Sequence, residues 1–283
     1  MKIVIEKNGF QICKVDDTSE YISFVERLDI DNDTYETLKK NNEYTHVIFH
    51  DGEAIGFTIY DSSKDAFIYI YIFPQFRHRG FGYTVEQLLE EGYKDKDVKI
   101  ASVYIKDNEA AKSFVKKCGF IDEFSSDCMV YDGDKFDIPK LEIRQYEDKD
   151  YIDAFRLSDE AFHAMRLSVG HFPDSKLSEP SEESRKDWLK YAEDSYVYVV
   201  NDEIVGYGNL EDSTINSVSI KISQQGKGYG RNFVKYLTNA IIDKGKEKPS
   251  LWCVVGNTKA RSLYESLGYK QTETITIANK KIN

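Results

Sequence analysis

The apolar and polar positions of this chain repeat one order of strands and helices in its two halves. Alternation with period two, or a continuous run of β-branched and aromatic residues, predicts a strand, and apolar positions three and four residues apart predict a helix. In the first half these patterns give strands at residues 10–15, 44–50, 54–60 and 66–73, helices at residues 17–29 and from Gly80, a strand at residues 98–105, a helix at residues 108–117 and closing strands at residues 120–131.

The second half follows the same order. Its patterns give a strand near residues 141–145, a helix from residue 148, a hairpin across Asn201-Asp202, a strand ending at residue 222, a helix from Gly228, a strand at residues 251–255, a helix at residues 258–267 and a final strand from residue 269. The segment 132–140, with its glycine and proline, separates the halves. The sequence therefore predicts two similar domains, at residues 1–137 and 138–283.

Short motifs support an internal duplication. The hexad at residues 77–82 reads Arg-His-Arg-Gly-Phe-Gly, and the hexad at residues 225–230, 148 positions later, reads Gln-Gly-Lys-Gly-Tyr-Gly. An Asn-x-x-Ala motif begins at Asn108 and again at Asn257, an offset of 149. Gly-aromatic pairs follow at residues 119 and 268, at the same offset. Motifs in one order at nearly one offset indicate a repeat of domain size.

Each glycine hexad lies between a predicted strand and a predicted helix. At such a junction several backbone N–H groups point to one place, with the positive end of the helix dipole behind them. Glycine lets the backbone approach a ligand closely, because it has no Cβ. The motif therefore predicts a site for a phosphate-bearing cofactor, and its repetition allows one site in each half.

Composition excludes several classes of function. The chain has 283 residues and a net charge of −11, of which the first 139 residues contribute −10, with 17 basic and 27 acidic side chains. An acidic surface repels nucleic-acid phosphates, so no nucleic-acid partner is expected. No apolar run approaches the roughly 20 residues of a membrane span. The four cysteines show neither a C-x-x-C motif nor metal-ligand spacing, which favours a reduced, cytoplasmic setting and no metal.

These motifs together resemble the Gcn5-related N-acetyltransferase family over nearly the whole chain, twice. Residues 74–82 of the first half keep the family's loop almost in consensus form, whereas the second loop lacks the usual proline at residues 222–224. The Asn-x-x-Ala-x-x-Leu-Tyr motif from Asn257 is the stronger copy of the other signature. The resemblance implies an α/β (α+β) fold of two tandem domains, each a mixed, splayed, mostly antiparallel sheet flanked by helices.

The resemblance also implies acetyl-CoA as cofactor, lying between the fourth and fifth strands. The residues that would bind it are Ile220, Ile222, Gln225, Gly226, Lys227, Gly228, Tyr229, Gly230, Arg231 and Asn257 in the second half and Arg77, His78, Arg79, Gly80, Gly82 and Asn108 in the first. Asn257 has an alternative role as the N-cap of the helix that follows it.

Tyr264 is the expected catalytic acid. In the family, a tyrosine at this position protonates the leaving thiolate, and a phenol lies close enough in pKa to a thiol to do so. The alternative is a tyrosine packed in the core. The counterpart in the first half is Val115, which cannot donate a proton. The second domain is therefore expected to carry the chemistry, with the first binding CoA structurally or not at all.

An attacking ammonium must also lose a proton, and Glu211 is the expected base. Asp212, Ser217 and Ser219 lie near it in sequence, and the amine could also arrive neutral. His163 and His171 are further alternatives with a suitable pKa. Both histidines belong to an insertion of about 20 residues within residues 163–185, and binding residues concentrate in loops of this kind.

The sequence predicts an N-acetyltransferase that transfers acetyl directly to a primary amine in a ternary complex. A backbone N–H of the fourth strand would polarise the acetyl carbonyl. A nicotinamide-binding domain is excluded, because the glycine spacing is wrong and the loop follows the fourth strand. A non-catalytic acyl-CoA sensor that regulates a partner remains the alternative. The amine and the oligomeric state stay open.

Overall fold

The computed structural model describes residues 2–14, 42–61, 66–94, 96–245 and 248–282. The helix predicted at residues 17–29 lies outside the described residues. The chain divides into two compact units, of which the first comprises Met1–Glu123 and Thr276–Asn283 and the second Phe124–Ile275. This division differs from the boundary expected between residues 137 and 138, because residues 124–137 pack in the second unit and the chain end packs in the first.

The first unit is built around one mixed sheet. Its described elements are β1 (Lys2–Lys7), β2 (Phe10–Lys14), β3 (Thr45–His50), β4 (Glu53–Asp61), β5 (Phe67–Ile72), α1 (Phe81–Glu91), β6 (Lys99–Ile105), α2 (Glu109–Lys117) and the start of β7 (Ile121–Val130). β1 to β5 pair antiparallel in sequence order, and β6 is parallel to β5. Val85 and Leu89 of α1 and Val115 of α2 are buried in its core.

The second unit repeats this arrangement. Its elements are the remainder of β7, β8 (Ile143–Gln145), α3 (Tyr151–Val169), α4 (Glu182–Lys190), β9 (Ser195–Val200), β10 (Glu203–Glu211), β11 (Thr214–Ile220), α5 (Tyr229–Asp243), β12 (Ser250–Val254), α6 (Thr258–Ser266) and the start of β13 (Lys270–Lys281). β8 to β11 pair antiparallel, and β12 is parallel to β11. The predicted α/β (α+β) class with mostly antiparallel sheets is confirmed.

Two apolar clusters cover the two faces of the second sheet. Phe233 and Leu237 of α5 pack with Tyr264 of α6 on one face, the α5–α6 face. Phe155 of α3 packs with Trp188 of α4 and Tyr207 of β10 on the other, the α3–α4 face. Successive residues of a strand point to opposite faces, so the side chains of β10 and β11 divide between these two clusters.

The closing strands follow the compact units and not the sequence halves. In the second unit, residues 126–130 of β7 pair antiparallel with residues 250–254 of β12. In the first unit, the end of β13 lies beside β6, and the Ile282 N–H donates to the Val98 carbonyl at 3.1 Å. Ala278 and Ile282 are buried in the first core. Residues 120–131, predicted to close the first half, therefore mainly close the second unit.

Candidate active site

β11 and β12 pair only at their first residues and then separate. The last pair is Ile215 opposite Leu251. The next residue of β11, Asn216, is a bulge, because β10 offers it no partner. A bulge bends its strand and increases the local twist. It lies where the strands part, so the edge of β11 beyond it is free of β12.

The first unit shows the same separation. β5 and β6 pair at one position, where Phe67 lies opposite Ala101. The splayed sheet that the family resemblance implies is therefore present in each unit.

The glycine loop of the second unit presents its backbone to open space. Gly226 and Gly228 have φ of 78° and 87°, and a methyl group added at either would meet no atom within 4 Å. α5 begins directly after Gly228, which acts as N-cap without a side-chain hydrogen bond. The first N–H of this helix with a backbone partner is that of Asn232, which donates to the Gly228 carbonyl at 3.2 Å. The N–H groups of residues 228–231, which precede it, therefore form an anion-binding site of the kind found at helix N-termini, called here the cradle.

The side chains of this loop mostly bind the protein itself. Gln225 Nε2 donates to the Ile220 carbonyl at 3.1 Å, and Lys227 Nζ to Gln224 Oε1 at 2.7 Å. Arg231 Nη2 donates to Ser266 Oγ at 2.8 Å. The cradle therefore offers main-chain N–H groups to a ligand. The ring of Tyr229 packs beside Tyr198, Ile220 is buried in the core, and Ile222 is exposed.

The first loop reproduces this geometry with different residues. Arg77 Nε donates to the Ile72 carbonyl at 2.8 Å. This bond corresponds to the one from Gln225 to the Ile220 carbonyl in the second loop. His78 has φ of 60°, where the second loop has Gly226, and Gly80 has φ of 84°. Arg79 lies over the ring of Phe76. The left-handed conformation at His78 is uncommon for a residue with a Cβ.

The two units differ beside the first turn of the helix that follows the glycine loop, α1 in the first unit and α5 in the second. A methyl group added at Gly82 would lie 3.1 Å from Phe114 Cε2. At the corresponding Gly230 it would lie 3.6 Å from Ile220 Cγ1 and 3.8 Å from Leu263 Cδ2. The phenyl ring of Phe114 therefore lies closer to the first turn of its helix than the side chain of Leu263 does in the second unit.

Asn108 and Asn257 both cap helices. Asn108 Oδ1 accepts from the Ala111 N–H at 3.0 Å, and Asn257 Oδ1 accepts from the Ala260 N–H at 3.3 Å. The N-cap alternative stated for Asn257 is therefore confirmed, and Asn108 caps its helix in the same way. Each amide keeps its Nδ2 donor, which no described residue accepts, so capping is compatible with a ligand contact at that atom.

Tyr264 is buried in the cluster on the α5–α6 face. It is 8% exposed, and its ring lies 6.1 Å from that of Tyr269. Burial raises the pKa of its phenol, with smaller contributions from Cys253 and Tyr269. Burial also raises the pKa of the Cys253 thiol to about 11, so both groups are neutral near pH 7. Val115, the counterpart in the first unit, is buried in the apolar core.

Glu211 lies at the closed end of the sheet. It pairs with Thr214 in a tight turn, beside the place where β11 and β12 still pair. From Thr214, β11 runs six residues to Ile220, a distance of about 20 Å at the rise of a β-strand. Glu211 is exposed, so no neighbouring group of the sheet encloses it. Its role as a base stays a prediction.

The alternative bases lie on the other face or in turns. His163 Nδ1 is 3.0 Å from Ser175 Oγ, His171 is exposed, and Asp212 has φ of 51° in the hairpin turn. Ser219 is buried, and its Oγ donates to the Tyr207 carbonyl at 3.3 Å.

The residue at the point of separation is one that the sequence pattern did not indicate. Asn216 Nδ2 donates to Asn209 Oδ1 at 3.3 Å, on the face opposite Tyr264. The bulge that brings these two amides together depends on the register between β10 and β11, which alternation alone does not reveal.

Comparison with protein families places one match in each half. Residues 11–120 match the model of the acetyltransferase (GNAT) family, and residues 204–277 match that of FR47-like protein. With the splayed sheets and the paired glycine loops, these matches show a domain of the acetyltransferase (GNAT) family in the first half and an FR47-like domain in the second. Members of the GNAT family are acetyltransferases that use acetyl-CoA, so family and fold support acyl transfer in general.

Solved structures share the fold at low sequence identity. A GCN5-related N-acetyltransferase from Sphaerobacter thermophilus has a TM-score of 0.63 at 18% identity, over 94% of this chain and 86% of that chain. A tandem GNAT protein from the clavulanic acid biosynthesis pathway has a TM-score of 0.64 at 12% identity, over 96% and 98%. A GNAT-family acetyltransferase from Colwellia psychrerythraea has a TM-score of 0.58 at 10% identity, over 97% and 99%.

No curated protein matches the sequence significantly. Within the described part of the chain, none of the helices combines the length and apolar character that a membrane crossing requires.

Proposed function

We propose that the chain is an acetyl-CoA-dependent N-acetyltransferase whose chemistry takes place in the second unit. The observation that carries the proposal is the combination of a cradle of free N–H groups at Gly228 with the strand separation beyond Ile215. The cradle fits a diphosphate, and the open edge of β11 can pair with the amides of a pantetheine arm as another strand would. The asymmetry between Tyr264 and Val115 favours the second unit.

When bound, acetyl-CoA supplies an acetyl group activated as a thioester. The N–H groups of residues 228–231 would bind the diphosphate, and Asn257 Nδ2 would donate to the pantetheine arm. An N–H on the edge of β11 would bind the acetyl oxygen and stabilise the charge that develops there.

Tyr264 would act at the leaving sulfur. Its raised pKa keeps the proton on Oη, and it also makes complete proton transfer to a thiolate less favourable than it is for an ordinary phenol. The hydroxyl therefore acts chiefly as a hydrogen-bond donor that stabilises the developing thiolate. Cys253 is neutral and buried, which supports direct attack by the amine without a covalent acyl-enzyme.

The test is thiol release from acetyl-CoA with a panel of primary amines, together with calorimetric counting of CoA bound per chain. We expect saturable binding and amine-dependent turnover. Saturable binding without turnover on any amine would favour the non-catalytic sensor, and no binding at all would overturn both functions.

A further inference from the structure

A chain of hydrogen bonds on the α3–α4 face fixes the orientation of two side-chain amides at the strand separation. It begins at the Tyr191 carbonyl, which can only accept. Ser195 Oγ donates to this carbonyl at 2.8 Å, and this bond uses the one hydroxyl proton of Ser195. Ser195 is fully buried, so its Oγ can only accept from its other neighbours.

The orientation of Asn209 follows from this. Asn209 is 7% exposed, and its Nδ2 donates to Ser195 Oγ at 3.0 Å. Its Oδ1 must then point the other way, where it accepts from Asn216 Nδ2 at 3.3 Å. Tyr207 Oη lies 3.2 Å from the same Ser195 Oγ, and Trp188 stacks on the Tyr207 ring at 4.5 Å. Both hydrogen bonds and ring packing therefore fix the positions of the buried side chains Ser195, Tyr207 and Asn209.

Asn216, the last residue in this series of hydrogen bonds, is exposed. Its Nδ2 is engaged by Asn209, and no described residue donates to its Oδ1. Asn216 is also the bulged residue that directly follows the last pair between β11 and β12. The protein thus presents one oriented carbonyl oxygen where the sheet opens, on the face opposite Tyr264.

We propose that Asn216 Oδ1 accepts a hydrogen bond from the acceptor amine and that Asn209 is a positioning residue that keeps this oxygen outward. The proposal rests on the proposed N-acetyltransferase function. A carbonyl oxygen accepts from N–H groups of both an ammonium and a neutral amine, so it can hold the nucleophile before and after its proton is lost. The substrate class is a primary amine approaching from the α3–α4 face.

The experiment compares four variants of the full chain, using whichever primary amine of the panel the wild type acetylates. Asn216→Ala and Asn209→Leu should each raise KM for the amine, by about tenfold for Asn216→Ala. Binding of CoA, measured by calorimetry, should stay within about twofold, because neither residue contacts the cradle. Asn216→Asp keeps an oxygen that can accept from the amine, but its carboxylate cannot donate to Asn209 Oδ1. Its KM should therefore lie between those of the wild type and Asn216→Ala and rise as pH falls through the carboxyl pKa, near 4.

Thr214→Val is the matched control. Thr214 also lies on β11, and its Oγ1 is 2.9 Å from Ser250 Oγ, but it precedes the separation. This variant should leave KM for the amine unchanged. The inference is overturned if Asn216→Ala keeps the wild-type KM, if Asn216→Asp behaves like Asn216→Ala, or if Thr214→Val changes KM as much. A wild type that binds CoA and acetylates no amine overturns the proposed function itself, and the inference with it.

Discussion

Lys280 Nζ lies 3.5 Å from the carboxylate of Glu86, a side chain that is only 1% exposed. The same ammonium pairs with Glu90 and donates to the Cys118 carbonyl at 2.6 Å. Glu86 and Glu90 belong to α1, and Lys280 belongs to the last strand. This ionic cluster therefore stabilises the packing of the end of β13 against α1 in the first unit.

The second unit has no such charges at the corresponding place. Val234 and Thr238 follow Glu86 and Glu90 by the repeat offset of 148, and both are buried. A methyl group added at Gly119 would lie 3.5 Å from Lys280 Cε, and one at Gly268 would lie 3.4 Å from Tyr131 Cε2. Lys280 in one unit and Tyr131 in the other thus occupy equivalent positions. The carboxylates of Glu86 and Glu90 therefore favour the end of β13, which carries Lys280, as the closing strand of the first unit. The end of β7, which is followed by Tyr131, would leave these carboxylates without a cation.

Lys280→Met should destabilise the first unit, and more so at high pH. Breaking a buried ion pair costs about 3–5 kcal/mol when the remaining charge is uncompensated. At pH 6 the cost should be smaller, since Glu86 then holds a proton. Hydrogen exchange of residues 276–282 and of α1 at pH 6 and pH 9 measures the effect. Lys281→Met is the control, because Lys281 is exposed and pairs with Asp97 on the surface. Equal protection in the two variants would contradict the role of Lys280.

Glu86→Gln should reveal a stability that depends on pH. Burial, together with a hydrogen bond between Glu86 and Glu90 that favours the protonated form of Glu86, raises the pKa of Glu86 from 4.5 to about 8. The folded state then binds a proton that the unfolded state releases, so wild-type stability falls as pH rises from about 4.5 to 8. The variant lacks this titration, so its stability relative to wild type should increase across that window and level off above it.

Glu91→Gln on the same helix is the matched control for that titration. The bond from Lys7 lowers the pKa of Glu91, so its contribution is lost only as pH falls below about 4.5. Urea unfolding followed between pH 5 and 8 should therefore change for Glu86→Gln relative to wild type and stay parallel for Glu91→Gln. Parallel curves for both variants would show that Glu86 does not titrate in this range.

Tyr264→Phe should lower kcat by about a hundredfold or more, the range of a lost general acid or donor. Tyr269→Phe is a suitable control, because Tyr269 is a buried neighbour whose Oη lies 2.7 Å from Thr238 Oγ1. That variant should lose stability, by about 1 kcal/mol, and keep its turnover. If Tyr264→Phe retains wild-type kcat with the selected amine, Tyr264 is a core residue and not a catalytic one.

Gly228→Ala should weaken CoA binding by about tenfold or more. A Cβ there projects into the cradle, and the left-handed conformation costs a residue with a side chain about 1–2 kcal/mol. Gly170→Ala is the control, since Gly170 also has positive φ and open surroundings but ends α3. Calorimetry should show lost affinity only for Gly228→Ala. The same affinity in both variants would mean that the diphosphate lies elsewhere.

Calorimetry of Gly80→Ala tests whether the first unit binds CoA. Two binding events per chain in the wild type, of which one is lost in this variant, would show that it does. We expect one event that Gly80→Ala leaves intact, because the ring of Phe114 lies close beside Gly82, where the second unit has the more distant Leu263.

The sequence by itself determined the local elements and their repetition. The hairpin at Asn201-Asp202, the glycine loops and the cap at Asn257 are formed by residues a few positions apart. Their backbone conformations and hydrogen bonds therefore depend on short-range geometry that residue type reveals. The family resemblance added the splayed sheet from the same motifs.

Only the tertiary structure decided which strand closes which unit and where the amides meet. The end of β7 and the end of β13 both alternate like ordinary strands, and alternation does not specify a partner. The partner is selected by long-range burial, as in the docking of Lys280 against Glu86. The oriented oxygen of Asn216 likewise depends on a bulge in the pairing of β10 with β11, which exists only once the two strands are in register.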